Sequence, residues 1–474
     1  MGRASARSTP SGAGWTPDLR RFGKPHYLAI VEAIAEDVRT GRLAARERLP
    51  PQRVLAARLD LNFTTVARGY VAAQARGLVE SRVGQGTFVC DPARPARSAG
   101  AGAPRRHGAI DFSMNLPPEP DDPRLLARMQ AGVAAIAEDL PNLLRYQGFG
   151  GTGADKEAGG LWLARRGVVA GHDRLLLCPG AHSALDAILG AVAQGGDVLC
   201  TEALTYAGIR ALAAHRSLRL VGLPMDDEGL EPDAFAAACT KLAPKALYLN
   251  PTLQNPTTKT IRRARREAII AVARRYGVAI VEDDAYGFVC PNPPPSFQQL
   301  APEITYYVAG LAKCLGAGLR LAYLVAPSAR AALPPASILR AATVMASPIT
   351  TALATRWIAD GTGEALLGFI RAESRARQAV AARLLPPALV RADPNGFHLW
   401  LSLPEGWTRS AFASQGRSAG LGVVASDAFC TAGPAPEAVR ICLGGLAARA
   451  EVGQALEVLA HALGRSPTLA SAYI

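Results

Sequence analysis

YYVAGLAKCLGAGLRLAYLV, residues 306–325, places a single lysine, Lys313, between two apolar runs. The runs read as strands. Gly316 and Gly318 between them permit close backbone approach, and Arg320 stands at the entry to the second. Just upstream, VAIVEDDAYGFV (278–289) ends another apolar run on Glu282, Asp283, Asp284 and Tyr286. Three adjacent carboxylates at the end of a buried strand are costly without partners. Strand carboxyl ends are also where α/β folds place ligands, so the pattern predicts a charged ligand there.

Working outward, DRLLLCPG (173–180), GDVLCTEA (196–203), LRLVGLPMD (218–226), KALYLNPT (245–252), GVAIVEDDAY (277–286), ITYYVAG (304–310) and RLAYLVAP (320–327) all read as short strands. Their apolar runs are continuous rather than alternating, as in a sheet covered on both faces. Helical segments separate most of them, which predicts an α/β domain. Beyond about residue 365 a long Arg-rich helix precedes the strands FHLWLSLPEG (397–406) and VRICLGG (439–445). This predicts a smaller C-terminal α+β subdomain over about 365–463, within a domain spanning 110–463.

The first hundred residues differ. Residues 1–109 hold 18 Lys+Arg against 8 Asp+Glu, ten of the 13 net positive charges of this 474-residue chain. A polyanion partner is therefore expected for that part alone. Residues 1–20 read as a disordered basic tail and 91–109, rich in Pro, Ala, Gly and Arg, as a linker; 464–474 read as a second tail. Between them, 21–90 carry an apolar helical period over 24–40 ended by Gly41, a helix after Pro50–Pro51, a third helix capped by Thr64 or Thr65 and ended by Gly77, and a glycine-turned hairpin. That is the plan of a winged helix-turn-helix. The third helix would enter the major groove of double-stranded DNA, presenting Thr64, Thr65 and Arg68 to the bases. Arg53 would clamp a phosphate, and the wing from Arg82 through Gln85 to Thr87 would reach the backbone or minor groove. Val54, Leu55, Leu59, Val66 and Tyr70 read as core.

Several classes are excluded. The eight cysteines include no CxxC pair, so no metal site is expected. No secretory leader or membrane-spanning stretch is legible, and a cytoplasmic location is the expectation.

The ordered N-terminal pieces, from LAIVEAIAEDVRTGRLAARERLPPQRVLA through TTVARGY to GLVESRVGQGTFV, resemble the GntR-family winged helix along residues 28–89. The resemblance implies DNA contact by Arg53, Thr65 and Arg68, with Gly84–Gly86 as the wing tip. Ala45–Arg46 stand where a glycine is usual, and Phe63 is unusual in the turn.

Pyridoxal 5′-phosphate (PLP) needs a lysine for its aldehyde, a carboxylate for its pyridine nitrogen, a donor at its ring hydroxyl, a helix N-terminus and a cation for its phosphate, and an aromatic cover. Candidates for each exist: Lys313, Asp283, Tyr286, the glycine-entered helix at Ala181–His182 with Arg320, and Tyr206. Asn250 and Asn255 stand at another strand end in LYLNPTLQNPTT. Together, residues 110–455 resemble fold-type I aminotransferases, and with the winged helix ahead of them the MocR-type regulators. The resemblance implies that Lys313 carries the Schiff base, Asp283 pairs with the pyridine, and Asn255 and Tyr286 flank the ring hydroxyl. It further implies that Tyr206 stacks on the ring and that Ala181, His182 and Arg320 cup the phosphate. Arg440 would grip a ligand carboxylate, and Tyr146 would reach the phosphate of the other copy in a homodimer. Thr258 stands where a glycine usually follows NPT, and DKEAGGLWLA (155–164) replaces an expected Leu-Arg. The architecture implies a regulator responding to PLP or to an amino acid or amine, 4-aminobutyrate and taurine among them. A working aminotransferase with an auxiliary winged helix, and a non-catalytic interaction module, are the alternatives.

Overall fold

The computed structural model describes residues 14–23, 25–76, 78–82, 86–90 and 110–464, and the chain forms two compact units, 1–106 and 107–474. The first contains helices α1 (His26–Arg39), α2 (Gln52–Leu59) and α3 (Phe63–Ala75), then an antiparallel hairpin of β1 (Val79–Arg82) and β2 (Gly86–Val89). Ile30, Val31 and Ile34 on α1 meet Leu55, Val66 and Tyr70, and the hairpin closes the core with Val79 and Val89. Gly69 lets α3 approach α1, since a Cβ there would lie 3.1 Å from the Ile30 side chain. Gly41, at φ +74°, ends α1 as expected.

Two details differ from the sequence expectation. The cap of α3 is Asn62, whose Oδ1 accepts from the Thr64 N–H and from the Thr64 hydroxyl, both at 2.9 Å. The two threonines therefore sit inside the first turn. Val54 is 39 % exposed, not core, because the short α2 packs only one face and Val54 lies on the other. Gly77, residues 83–85 of the wing with Gln85 among them, residues 1–13 of the tail, the linker and residues 465–474 lie outside the described residues. Asn62→Ala is expected to weaken α3 by about 1 kcal/mol, seen as roughly fivefold faster amide exchange over its first turns; Asn62→Asp should preserve it.

In the second unit all seven expected strands form one sheet. In chain order they are β3 (Leu175–Cys178), β4 (Val198–Glu202), β5 (Arg219–Leu223), β6 (Ala246–Leu249), β7 (Ala279–Asp283), β8 (Thr305–Gly310) and β9 (Ala322–Val325), arranged β3-β9-β8-β7-β6-β4-β5. Only β9 runs antiparallel to its neighbours. Alternate residues feed two cores: Tyr248, Val281 and Val308 pack under helix α4 (Ala181–Val192), whereas Leu247, Leu249 and Ile280 pack on the opposite face. Both faces are thus buried, which accounts for the unbroken apolar runs.

The helix Thr362–Leu384 leads into a four-stranded antiparallel sheet, Val390–Ala392, His398–Ser402, Ala438–Cys442 and Val424–Ala425 in spatial order. Leu399, Leu401, Val439 and Ile441 face its core. Ile110–Asp111 pairs with Leu421–Gly422, and Phe112 is fully buried in this same core. The start of the second unit is therefore built into its C-terminal layer.

Candidate functional site

The carboxyl ends of β3, β6, β7 and β8, with the entry to β9, bring most of the expected groups to one place. After β3, Gly180 turns at φ +87° into α4, which has no side-chain cap. The N–H groups of Ala181 and His182 begin that helix, where intrahelical acceptors are lacking. Arg320 lies against this opening: a Cβ on Gly180 would meet its guanidinium at 3.2 Å. A helix N-terminus beside a cation is chemically suited to an anion. Tyr206 stands beside it, its hydroxyl 3.4 Å from His182 Nδ1 and its ring edge-on to the imidazole. Burial, reinforced by Arg320, holds that imidazole's pKa below its ordinary value.

The three adjacent carboxylates separate along the strand. Glu282 and Asp284 share one face and have structural partners: Arg266 reaches Glu282 at 3.0 Å, and Arg166 reaches Asp284 at 2.7 Å with the Tyr307 hydroxyl at 2.9 Å. The expectation that all three called for a ligand is thus corrected; internal arginines satisfy two of them. Asp283 points to the α4 face. Its Oδ2 accepts from the Tyr248 hydroxyl at 2.9 Å, while its buried Oδ1 has no partner. Burial raises the Asp283 pKa to about 6, and Lys313 partly opposes this.

Lys313 follows β8 on a short 3-10 turn (Leu311–Lys313). Burial lowers its amine to about 8, Arg440 adding to the effect while Cys442 and Asp283 oppose it. Its Nζ donates to the Asn115 carbonyl. Tyr286 is buried, and its hydroxyl accepts from Asn115 Nδ2 at 2.7 Å. Asn250 Nδ2 donates to the Asp283 carbonyl at 2.6 Å, and its Oδ1 accepts from the Asn255 N–H at 2.9 Å, so it shapes the loop carrying Asn255.

Arg440, 7 % exposed, donates through one terminal nitrogen to Asn255 Oδ1 at 2.8 Å and through the other to the Ser113 carbonyl at 2.5 Å. Its plane covers Phe429 at 4.9 Å, and its buried Nε has no partner. Tyr146 stands apart from this cluster, 85 % exposed. Thr258 is held at φ +64°, a conformation that a β-branched residue adopts at appreciable cost.

Three neighbours were not singled out from the sequence. Tyr248 lies two residues before Asn250, a spacing that could have flagged it. Asn115 follows an unremarkable two-residue strand. His398 is fully buried: its Nε2 lies 3.1 Å from the Gln254 carbonyl, its ring packs 5.3 Å from Tyr286, and its Nδ1 has no partner. Burial lowers its pKa to about 3, so the imidazole is neutral.

In the first unit, Arg53, Thr64 and Arg68 are exposed and Thr65 is half-buried at the start of α2 and α3. Arg53 lies 5.8 Å from the Phe63 ring, and Arg68 stacks 4.1 Å over Tyr27. Arg48 packs against Gly86 of the wing, a cation the sequence reading passed over. Arg82 ends β1; its side chain, like Gln85, is outside the described residues.

Among the described residues no cluster of His, Cys, Asp or Glu could hold a metal ion, and no helix is long and apolar enough to cross a membrane. Comparison with known proteins matches residues 108–459 to the family "Aminotransferase class I and II" and residues 26–89 to "Bacterial regulatory proteins, gntR family". The chain is similar to an uncharacterized HTH-type transcriptional regulator, YdeF, of Bacillus subtilis (strain 168), 28 % identical over 450 residues, covering 95 % of this chain and 96 % of that one. It is also similar to the probable rhizopine catabolism regulatory protein MocR of Rhizobium meliloti, 28 % identical over 330 residues, 64 % and 66 % of the two chains. Among solved structures, LysN, an alpha-aminoadipate aminotransferase from Thermus thermophilus, shares the fold with a TM-score of 0.68 at 23 % identity, covering 78 % of this chain and 94 % of that one.

Proposed function

The chain belongs to the class I and II aminotransferase family, with a gntR-family winged helix joined ahead of it in the MocR pattern, and from that premise we propose that it is a sequence-specific transcriptional regulator whose DNA binding responds to PLP or to an amino compound. One observation carries the reading. A chain whose recognition helix exposes a polar N-terminal face also holds, in its second unit, a buried carboxylate oxygen with no partner, Asp283 Oδ1, amid the other groups PLP requires.

Those groups fit the cofactor chemically. Asp283 Oδ1 would accept from a protonated pyridine nitrogen, which supplies the missing partner. The N–H groups of Ala181 and His182, with Arg320, would hold the phosphate, and Tyr206 would cover the ring. Asn255 and Tyr286 would flank the ring hydroxyl. Lys313 would offer its amine to the aldehyde, and burial keeps a useful fraction of that amine neutral. When bound, PLP supplies a carbonyl that combines reversibly with primary amines, so an effector amine competes with Lys313 for it. Arg440 would grip the effector's carboxylate. Tyr146, exposed in a single chain, would reach the phosphate of the other copy in a homodimer, and two copies would suit two DNA half-sites.

On DNA, Thr64, Thr65 and Arg68 would meet base edges, while Arg53, Arg82 and Gln85 would meet the backbone or minor groove. Arg68 would leave or extend past Tyr27 to do so. An effector can shift DNA affinity only by binding the two states of the chain unequally.

The test is fluorescence anisotropy on the DNA upstream of the chain's own gene, with and without PLP and a panel of amines. Specific binding that PLP or one amine changes is the expected result. Arg53→Ala should weaken binding to all sequences and lower the salt slope by about one. Arg68→Ala should cost about 1–3 kcal/mol and relax specificity at particular bases. Absence of specific binding under every condition, with transamination turnover instead, would establish the enzyme alternative.

A further inference from the structure

One three-residue segment, Ser113–Asn115, bonds three of the site's groups at once. The Ser113 carbonyl accepts from Arg440 at 2.5 Å, the Asn115 carbonyl accepts from Lys313, and Asn115 Nδ2 donates to the Tyr286 hydroxyl at 2.7 Å. These are the groups proposed to meet the ligand carboxylate, the cofactor aldehyde and the ring hydroxyl. Asn115 Oδ1 is buried with no partner, so the segment is held by what its other atoms reach rather than by a fully satisfied seat of its own.

Both ends of the segment belong to the C-terminal layer. Upstream, Ile110–Asp111 pairs with Leu421–Gly422, Phe112 is buried in that layer's core, and the Cys442 N–H donates to the Phe112 carbonyl at 3.0 Å. Downstream, the Gly445 N–H donates to the Pro117 carbonyl at 3.0 Å, and the Leu116 carbonyl sits where a Cβ on Gly444 would be, 1.7 Å away. Lys313 and Tyr286, by contrast, follow strands of the seven-stranded sheet. The segment therefore ties the C-terminal layer, Arg440 included, to the reactive groups of the large sheet.

We propose that Ser113–Asn115 is a ligand-released latch and that Asn115 is its positioning residue. The proposal rests on the cofactor reading above. Cofactor at Lys313 takes the partner of the Asn115 carbonyl, and a carboxylate at Arg440 takes the partner of Ser113, while the Tyr286 hydroxyl, an acceptor toward Asn115 Nδ2, keeps its own proton for the ring hydroxyl. Once those bonds are exchanged, the tie through this segment between the C-terminal layer and the large sheet is released, while Arg440–Asn255 and His398–Gln254 still join the two. The chain arriving from the winged helix enters this layer at Ile110, so the point where the first unit is tethered moves with the latch. Occupancy of a buried site thus acquires a covalent route to the DNA-reading unit.

Amide hydrogen exchange of the full chain, read over residues 110–118, tests this. Saturating PLP should speed exchange there at least fivefold, leave the β6 core unchanged, and have no effect in Lys313→Ala. Without cofactor, Asn115→Ala should already raise exchange at 110–118. It should also tighten PLP binding, because the Nδ2 bond to Tyr286 that seats the segment is lost and the backbone carbonyl left on Lys313 is displaced more easily. A merely supportive Asn115, bonding the cofactor directly, predicts weaker binding instead, and that sign overturns the latch. Unchanged exchange while visible absorbance reports bound cofactor overturns the latch and spares the cofactor reading. If no absorbance develops, the cofactor reading fails, and the cofactor-free Asn115→Ala and Lys313→Ala chains still judge the contact: unaltered exchange at 110–118 in both overturns it.

Discussion

Lys313→Ala is expected to abolish the visible absorbance that the chain gains with PLP, and with it retention of the cofactor through gel filtration. The physical basis is the amine's environment. An ordinary lysine, with a pKa near 10.4, is neutral in fewer than about one molecule in a thousand at pH 7. Burial brings the Lys313 amine to about 8, which makes about a tenth of it neutral at that pH and ready to attack a carbonyl. Cofactor uptake by the wild-type chain should therefore accelerate close to tenfold per pH unit below about 8, then level off. Below about 6 a second loss is expected, since protonated Asp283 no longer offers a charged acceptor to the ring nitrogen. Absorbance stopped-flow from pH 5 to 10 reads both limbs. Continued acceleration to pH 10 would show an amine with ordinary solvation and sink the buried-nucleophile reading. Absorbance retained by Lys313→Ala would move the aldehyde's partner to another residue.

The legible parts of this molecule are those where one strong local preference decides the outcome. All seven strands of the large sheet were visible as apolar runs because burial on both faces leaves no polar alternation to confuse the period. Lys313, Asp283, Tyr286, Asn255, Arg320 and Ala181 stand out as candidates because each lies at a strand or helix end, next to a glycine, proline or charge. What escaped is pairing at a distance. Nothing near Glu282 or Asp284 signals that Arg266 and Arg166 neutralise them, for the partners lie 16 and 118 residues away. Asn115 escaped for the same reason: its three-residue segment has no pattern of its own, and its meaning comes from Lys313 and Tyr286, 198 and 171 residues on. His398 reads as one more strand residue; its unpaired nitrogen and its ring, tilted against that of Tyr286, place it beside the site.

The departures from the family pattern carry a related lesson. At Ala45–Arg46 and at Thr258, where a glycine is expected by resemblance, Arg46 and Thr258 are held in the left-handed region, at φ +64° in each case. The backbone shape that makes glycine common there persists without it. For Thr258 the surrounding bonds supply the restraint: its N–H donates to the Gln254 carbonyl at 2.7 Å, and the Gln254 N–H to the Lys259 carbonyl at 2.8 Å. The loop that positions Asn255 is therefore over-determined by its own hydrogen bonds, which is how strained backbone survives.

That loop also depends on Arg266, which leads to the largest stability effect expected here. Arg266 and Glu282 are both fully buried. The guanidinium donates to Glu282, to the Ile261 and Pro251 carbonyls at 2.8 and 3.2 Å, and to the Thr252 hydroxyl at 3.0 Å. Arg266→Met strands a buried carboxyl and frees both ends of the 251–261 loop, a class of change that costs about 3–5 kcal/mol. The deficit should also depend on pH. Burial, with Asp284 alongside, already raises Glu282 to about 7 while Arg266 opposes it, so removing Arg266 raises it further. A carboxyl whose folded pKa lies above its unfolded value contributes fully below the unfolded value, and that stability is lost as pH rises toward the folded one. The cost of keeping the proton grows by at most about 1.4 kcal/mol per pH unit over that window. Arg266→Met should therefore be more damaging at pH 8 than at pH 5.5, and Glu282→Gln in the same chain should recover the pH-dependent part while the lost loop bonds remain. Urea denaturation followed by tryptophan fluorescence suits the measurement, because four of the five tryptophans, Trp162, Trp357, Trp400 and Trp407, lie in the second unit. Equal deficits at the two pH values, or no recovery in the double variant, would mean that Glu282 is not the buried charge Arg266 neutralises, and that Arg266 acts through the loop alone.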